Sequence, residues 1–185
     1  MKSKFKKLTT IIATLGIMGA ATPALAGGNP NVRAYIDFDP PNYVHNIDPP
    51  EYTAFDAYIM LDNIDLGMTV VSFAVDIDGG ITAPPSFESL LPGGLVIGDY
   101  DTGITLASTE CKPDNPLSVA VLHCFSLGGS GKIRITDHPD YPRWVVDCNV
   151  PGQVDFYTTD IETEFGVGYV PVEEKSWGSI KAMYR

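Results

Sequence analysis

Glycine and proline interrupt this chain so often that only short secondary-structure elements fit between them. Residues 27–185 contain 14 prolines and 16 glycines. Proline removes a backbone donor and glycine weakens the interior of helix and strand alike. The stretches between these breakers are rich in β-branched and aromatic residues, and they alternate. In Val32–Asp39, Ala34, Ile36 and Phe38 share one face. In residues 53–61 the shared face is Phe55, Ala57, Ile59 and Leu61. In residues 69–78, Val71, Phe73, Val75 and Ile77 point one way and Ser72, Asp76 and Asp78 the other. Period-two alternation is what a half-buried strand requires. Further strands are expected at 94–97, 103–109, 117–127, 132–136, 143–148, 153–158 and 166–171. The run 117–127 is apolar on both faces and belongs in the middle of a sheet. One helical turn is expected at Ser86–Leu91, and a hairpin turn at Gly128–Gly131. The expected fold is all-β, an antiparallel β-sandwich (jelly-roll or immunoglobulin-like) of about 8–10 strands.

Residues 1–26 read differently. Lys2, Lys4, Lys6 and Lys7 precede an apolar stretch of about 14 residues, and Ala24-Leu25-Ala26 then offers small residues in an A-x-A cleavage pattern ahead of Gly27. The stretch is too short to span a bilayer comfortably, so it is expected to be a removable signal peptide. The expected division is 1–26 signal peptide, 27–172 β-sandwich domain and 173–185 C-terminal tail. The expected localisation is secreted: extracellular, periplasmic or surface-associated, and not membrane-embedded. Without the four leader lysines, eight basic residues face 23 acidic ones, a formal charge of −15. Nucleic-acid affinity comes largely from neutralising phosphates with Lys and Arg, so a nucleic-acid partner is excluded on charge.

The segments VRAYID, TAFDAYIMLDN and GMTVVSFAVDID resemble the early strands of cohesin-like modules and of related carbohydrate-binding β-sandwiches on secreted bacterial proteins. The likeness covers about 50 residues and rests on patterning. It implies a nine-stranded jelly-roll sandwich used for protein–protein or glycan attachment. The three cysteines fall outside that pattern.

Cys111, Cys124 and Cys148 all lie in the exported part, where disulfides persist. If residues 112–116 form a tight turn, Cys111 and Cys124 stand on the order of 20 Å apart at the strand rise, too far for a bridge. Cys111 and Cys148 both fall near strand ends, and that pairing is expected, with Cys124 a buried free thiol. Cys124–Cys148 is the competing pair. His123 adjoins Cys124, but neighbours on a strand point to opposite faces, so the two make no catalytic dyad.

Acidic residues recur two apart, as Asp37/Asp39, Asp76/Asp78 and Asp99/Asp101, and on a strand such a pair shares a face. Calcium needs six to eight oxygens, so clusters would have to converge. Asp76, Asp78, Asp99 and Asp101 are the candidate metal ligands, against the plainer reading of solvated faces and edge-protecting charges. The expected cofactor is none, or calcium. His45, His123 and His138 are scattered and match no transition-metal spacing. The GGSGK run at 128–132 lacks the phosphate-loop spacing. No GxSxG elbow is present, and no catalytic set stands out. The expectation is a protein without catalysis.

Aromatic residues are the better lead. Tyr141, Trp144 and Tyr157 lie in a loop-rich region and are candidate ligand-binding residues that a sugar could stack on, although Trp144, in RWVVDC, is expected to face the core with Val146 ahead of stacking on a ligand. The tail from Glu173 to Arg185 carries Trp177, Ile180 and Tyr184 at helical spacing, together with Lys181 and Arg185, as expected of a docking segment or recognition tag. The functional expectation is an exported interaction or surface-structural module, cohesin-like, with a protein or glycan partner at the cell surface. A carbohydrate-binding domain is the alternative, and a secreted hydrolase the second.

Overall fold

The computed structural model describes residues 28–81, 85–140, 142–159 and 163–166. Eleven strands follow in order: β1 Arg33–Asp37, β2 Asn46–Ile47, β3 Ala54–Asp62, β4 Met68–Ile81, β5 Ser86–Ser89, β6 Leu95–Asp99, β7 Gly103–Lys112, β8 Leu117–Thr136, β9 Trp144–Val146, β10 Val154–Phe156 and β11 Thr163–Phe165. No helix occurs among the described residues. The fold is the expected antiparallel β-sandwich, and the strand count passes the expected range through pieces of two and three residues at its margins.

Two sheets carry the core. One runs β1–β3–β8–β5 through the first half of β8, and the other β10–β9–β4–β7–β6 through the first half of β4. The second halves of β4 and β8 leave these sheets and pair with each other, Ala74 opposite Thr136 through Ile81 opposite Ser126. Beyond β8 the ribbon is extended by β11, which pairs with β8 and β2. Two long strands thus belong to two sheets each and close the sandwich at its corner.

Alternation sorts the side chains as the sequence indicated. Ala34, Ile36, Ala57, Ile59 and Leu61 enter the core from one sheet; Val71, Phe73, Ile104, Leu106 and Val145 enter from the other. The apolar run of β8 lies centrally, between β3 and β5, with Val119, Ala120, Val121 and Leu122 all buried.

Two local expectations are corrected. Ser86–Ser89 is not a helical turn: it pairs with His123–Ala120 as an edge strand. The free edge of β8 offers hydrogen bonds to an entire strand, and they outweigh the local turn preference. Gly128–Gly131 is not a hairpin turn either, because β8 runs straight through it. Gly79 and Gly80 of β4 lie opposite, and a Cβ at Gly80 would stand 2.5 Å from the Gly129 carbonyl oxygen. The glycines serve close main-chain approach here, not chain reversal. The expected strand at 166–171 lies outside the described residues beyond Gly166.

Cys111, on β7, is joined to Cys148, just after β9, with 5.5 Å between Cα atoms. The bridge spans β4, which lies between those two strands. Gly67, at φ 69°, passes beneath it; a Cβ there would meet both sulfurs within 2.8 Å. Cys124 is the buried free thiol, and burial pushes it up to about 12. It stays protonated and inert at neutral pH.

Candidate functional site

The register of β10–β9–β4–β7–β6 assembles a surface from five separate stretches of chain. One row across the sheet reads Phe156, Trp144, Ser72, Thr105, Ile97. The next reads Val154, Val146, Val70, Ala107, Leu95. Their chain neighbours Val71, Phe73, Leu106, Val145 and Asp155 are buried, so both rows lie on the outer face. Neither row contains a charged residue.

The face is open at its margins. Phe156 is 65% exposed, Leu95 60%, Ile97 56% and Val154 48%. A solvated strand face is normally polar, and exposed apolar surface of this continuity marks an interaction site. Its centre is held flat by polar contacts within the sheet. The hydroxyls of Ser72 and Thr105 lie 2.7 Å apart, and the Ser72 carbonyl accepts a 2.7 Å hydrogen bond from the Tyr157 hydroxyl below.

Two concavities flank Trp144. One, of about 300 Å³, is lined by Pro142, Trp144, Val154 and Phe156. The other, of about 590 Å³, lies between Trp144, Thr105 and Ile97 on the sheet and His138 and Asp140 beyond it. Trp144 is therefore a ridge between an apolar hollow and one with a polar rim.

The sequence-predicted residues separate here. Trp144 and Val146 do not face the core: Val145 between them is the buried residue, and alternation turns both onto the face. Tyr157 does not belong to the face: it is 3% exposed, its ring is in the core, and burial raises the pKa of its phenol far above the ordinary range. It cannot stack on a ligand. It braces β4 from beneath through Ser72. Tyr141 and the tail residues Trp177, Ile180 and Tyr184 lie outside the described residues.

The acidic pairs stand apart from one another. Asp76 forms an ion pair with Arg134, and Asp78 lies opposite Lys132 in the register. Asp99 ends β6 and Asp101 lies within the β6–β7 turn. Among the described residues no three His, Cys, Asp or Glu side chains are grouped to hold a metal ion. The sequence reading missed Phe156, Val154, Leu95 and Ile97. Their alternation was visible, but the rows they form depend on strands far apart in the chain.

The outer face of β1–β3–β8–β5 contrasts with this one. Its rows read Asp37, Tyr58, Val121, Glu88 and Asp56, His123, Ser86. His123 joins three strands, its Nδ1 lying 2.8 Å from Asp56 and its Nε2 3.3 Å from Glu88. Those hydrogen bonds raise its pKa, Asp56 contributing most. The loop after β1 folds onto the same sheet, with Tyr43 stacked on Tyr35 at 5.6 Å. Asp37, fully buried, fixes that loop by accepting the main-chain N–H groups of Asp39, Tyr43 and Val44.

No family model and no curated protein matches the sequence. Solved structures do. The sixth cohesin of scaffoldin B from Acetivibrio cellulolyticus, crystallised in complex with a Cel5 dockerin mutant, aligns at a TM-score of 0.51 with 13% identity, covering 73% of this chain and 97% of that one. A type II cohesin domain from the cellulosome of the same organism gives 0.48 and 14%, over 75% and 96%. The third ScaB cohesin of R. flavefaciens, in complex with a group 1 dockerin, gives 0.47 and 14%, over 73% and 94%. At these identities the likeness is one of fold, and it rests on the first of the three. This chain is an antiparallel β-sandwich with a cohesin-like fold.

Proposed function

We propose that this protein is a non-catalytic interaction module, exported under the direction of residues 1–26, which docks a protein partner on the outer face of β10–β9–β4–β7–β6. The observation that carries this is the pair of uncharged rows from five strands, buried or half-buried at their centre and exposed at Phe156, Val154, Leu95 and Ile97, on a domain whose charge after leader removal is −15. An acidic, soluble surface has no use for such a face unless something covers it. Protein interfaces place aromatic and aliphatic anchors at their centre and polar groups at the rim. Trp144, between an apolar hollow lined by Phe156 and one rimmed by His138 and Asp140, follows that arrangement. Complexes of cohesins with dockerins among the solved neighbours support a protein as the partner.

A glycan is the competing occupant, because the Trp144–Phe156 rung presents aromatic surface beside a hollow. Calorimetric titration of residues 27–185 with a panel of dockerin modules, and in parallel with soluble polysaccharides, separates the two. Binding to a protein is expected, weakened more than tenfold by Phe156→Asp and by Ile97→Asp with the unfolding midpoint unchanged. Binding indifferent to both substitutions, or retention on polysaccharide alone, would overturn the proposal.

A further inference from the structure

β6 is exposed along its whole length. Leu95, Val96 and Ile97 follow one another, so they alternate between the two faces of the sheet, yet all three are exposed. Leu95 and Ile97 lie on the outer face. Val96 lies on the inner face, in register with Leu106 of β7. Leu106 is 0% exposed, whereas Val96, one strand further out, is 44% exposed. The core therefore ends beneath β7, and β6 projects past it with apolar side chains on both sides.

Among the described residues β6 is the last strand of its sheet. Marginal strands are ordinarily blunted by charge, proline, shortness or a cover, because their outward N–H and C=O groups pair with any strand that reaches them. Two other margins of this sandwich follow that rule. β5 carries Glu88, 3.3 Å from His123, and β10 is three residues long. β6 is five residues long and pairs with β7 residue for residue, from Leu95 opposite Ala107 to Asp99 opposite Gly103. From Gly94 to Gly98 it holds neither a charge nor a proline.

We propose that β6 is a site of self-association, at which a second copy of this chain pairs its β6 antiparallel to the first and joins two sheets into one. The strand is complementary to itself. About a two-fold axis through Ile97, perpendicular to the sheet, Ile97 stands opposite the partner's Ile97, Val96 opposite the partner's Gly98, and Leu95 opposite the partner's Asp99. No charge meets a like charge, and the glycine leaves room for the valine. Such a contact is isologous and closes on itself. The outward main-chain groups of the two strands satisfy each other, and Val96 is covered on the inner side. On a domain of formal charge −15 after leader removal, an uncharged strand is where two copies meet at least electrostatic cost. The same axis keeps both outer faces on one side, so the row that ends in Ile97 runs on into the partner's Ile97. The pairing is independent of what docks on that face, since Val96 belongs to neither row.

The register supplies the test. Residues directly opposite in an antiparallel pair have Cα atoms about 4.5–5.5 Å apart, within disulfide reach. Leu95 and the partner's Leu95 would stand about 13 Å apart along the strands. Under mild oxidation, residues 27–185 carrying Ile97→Cys are expected to cross-link to a dimer, and those carrying Leu95→Cys to stay monomeric. Sedimentation equilibrium of the wild type should show a reversible dimer by millimolar concentration. Val96→Lys, which leaves both outer rows intact, should weaken that dimer about tenfold or more with the unfolding midpoint unchanged. A monomer at every concentration, equal cross-linking by Leu95→Cys and Ile97→Cys, or a dimer indifferent to Val96→Lys would overturn the proposal.

Discussion

The two outer faces of the sandwich are built by the same alternation and put to opposite uses. On β1–β3–β8–β5 the outward positions carry Asp37, Asp56, Glu88 and His123, and a loop lies over part of the sheet. On β10–β9–β4–β7–β6 they carry valine, leucine, isoleucine, phenylalanine and tryptophan, with only small residues between. The first face is finished by the chain's own charges and its own loop. The second is left apolar and open at its margins. A strand pattern says which side chains face away from the core; whether those side chains meet water or a partner is decided by their chemistry row by row.

Three measurements bear on that contrast. The largest effect is expected within one sheet, between its inner and outer sides. Phe73 is 1% exposed, whereas Phe156 is 65% exposed. Phe73→Ala is expected to cost about 3–5 kcal/mol in chemical denaturation, and Phe156→Ala no more than about 0.5 kcal/mol. A comparable loss at Phe156 would mean that the outer face is structural and the contrast is lost.

A smaller effect is expected on the charged face. His123 has a raised pKa in the folded state through Asp56 and Glu88. Its contribution is therefore fully present below the ordinary histidine pKa and is lost as pH rises through the raised value. The pair is well exposed, which limits it to about 1 kcal/mol or less. The midpoint difference between wild type and His123→Gln should shrink steadily from pH 5.5 to pH 8. A difference that does not change with pH would show that the histidine is held by packing alone.

The smallest expected effect is nil. Asp76 is engaged by Arg134, and Asp78 lies opposite Lys132. Millimolar calcium followed by chelator should leave the unfolding midpoint where it was. A clear calcium-dependent rise would mean that the acidic residues near the β6–β7 turn bind a cation, and would make a ligand site of those carboxylates.

Much of the fold was legible because strand formation is local. The faces of Val32–Asp39, 53–61 and 69–78 follow their alternation, and the central place of 117–127 follows from residues apolar on both sides. The Cys111–Cys148 bridge was legible in part: chain separation along a strand disfavours Cys111–Cys124, and only the fold decided against Cys124–Cys148. What failed was legible only locally: Ser86–Ser89 looked like a turn of helix until the open edge of β8 was present, and Gly128–Gly131 like a hairpin until Gly79 and Gly80 lay against it. Tyr157 offered an aromatic ring near Trp144 in the chain, but the two alternate across their strands, and burial gave Tyr157 to the core.

The sequence by itself determined that this protein is an acidic chain of short alternating strands with room for no more than one internal bridge among its three cysteines. It also determined which residues of the early strands turn inward, since alternation is a property of neighbouring residues. Only the tertiary structure decided that Phe156, Trp144, Ser72, Thr105 and Ile97 stand in one row. It likewise decided that Gly28 and Asn29 close on Asp147 and Asp155, more than a hundred residues away. Both follow from register between distant strands, which is fixed by the joint burial of the whole core and not by any one segment.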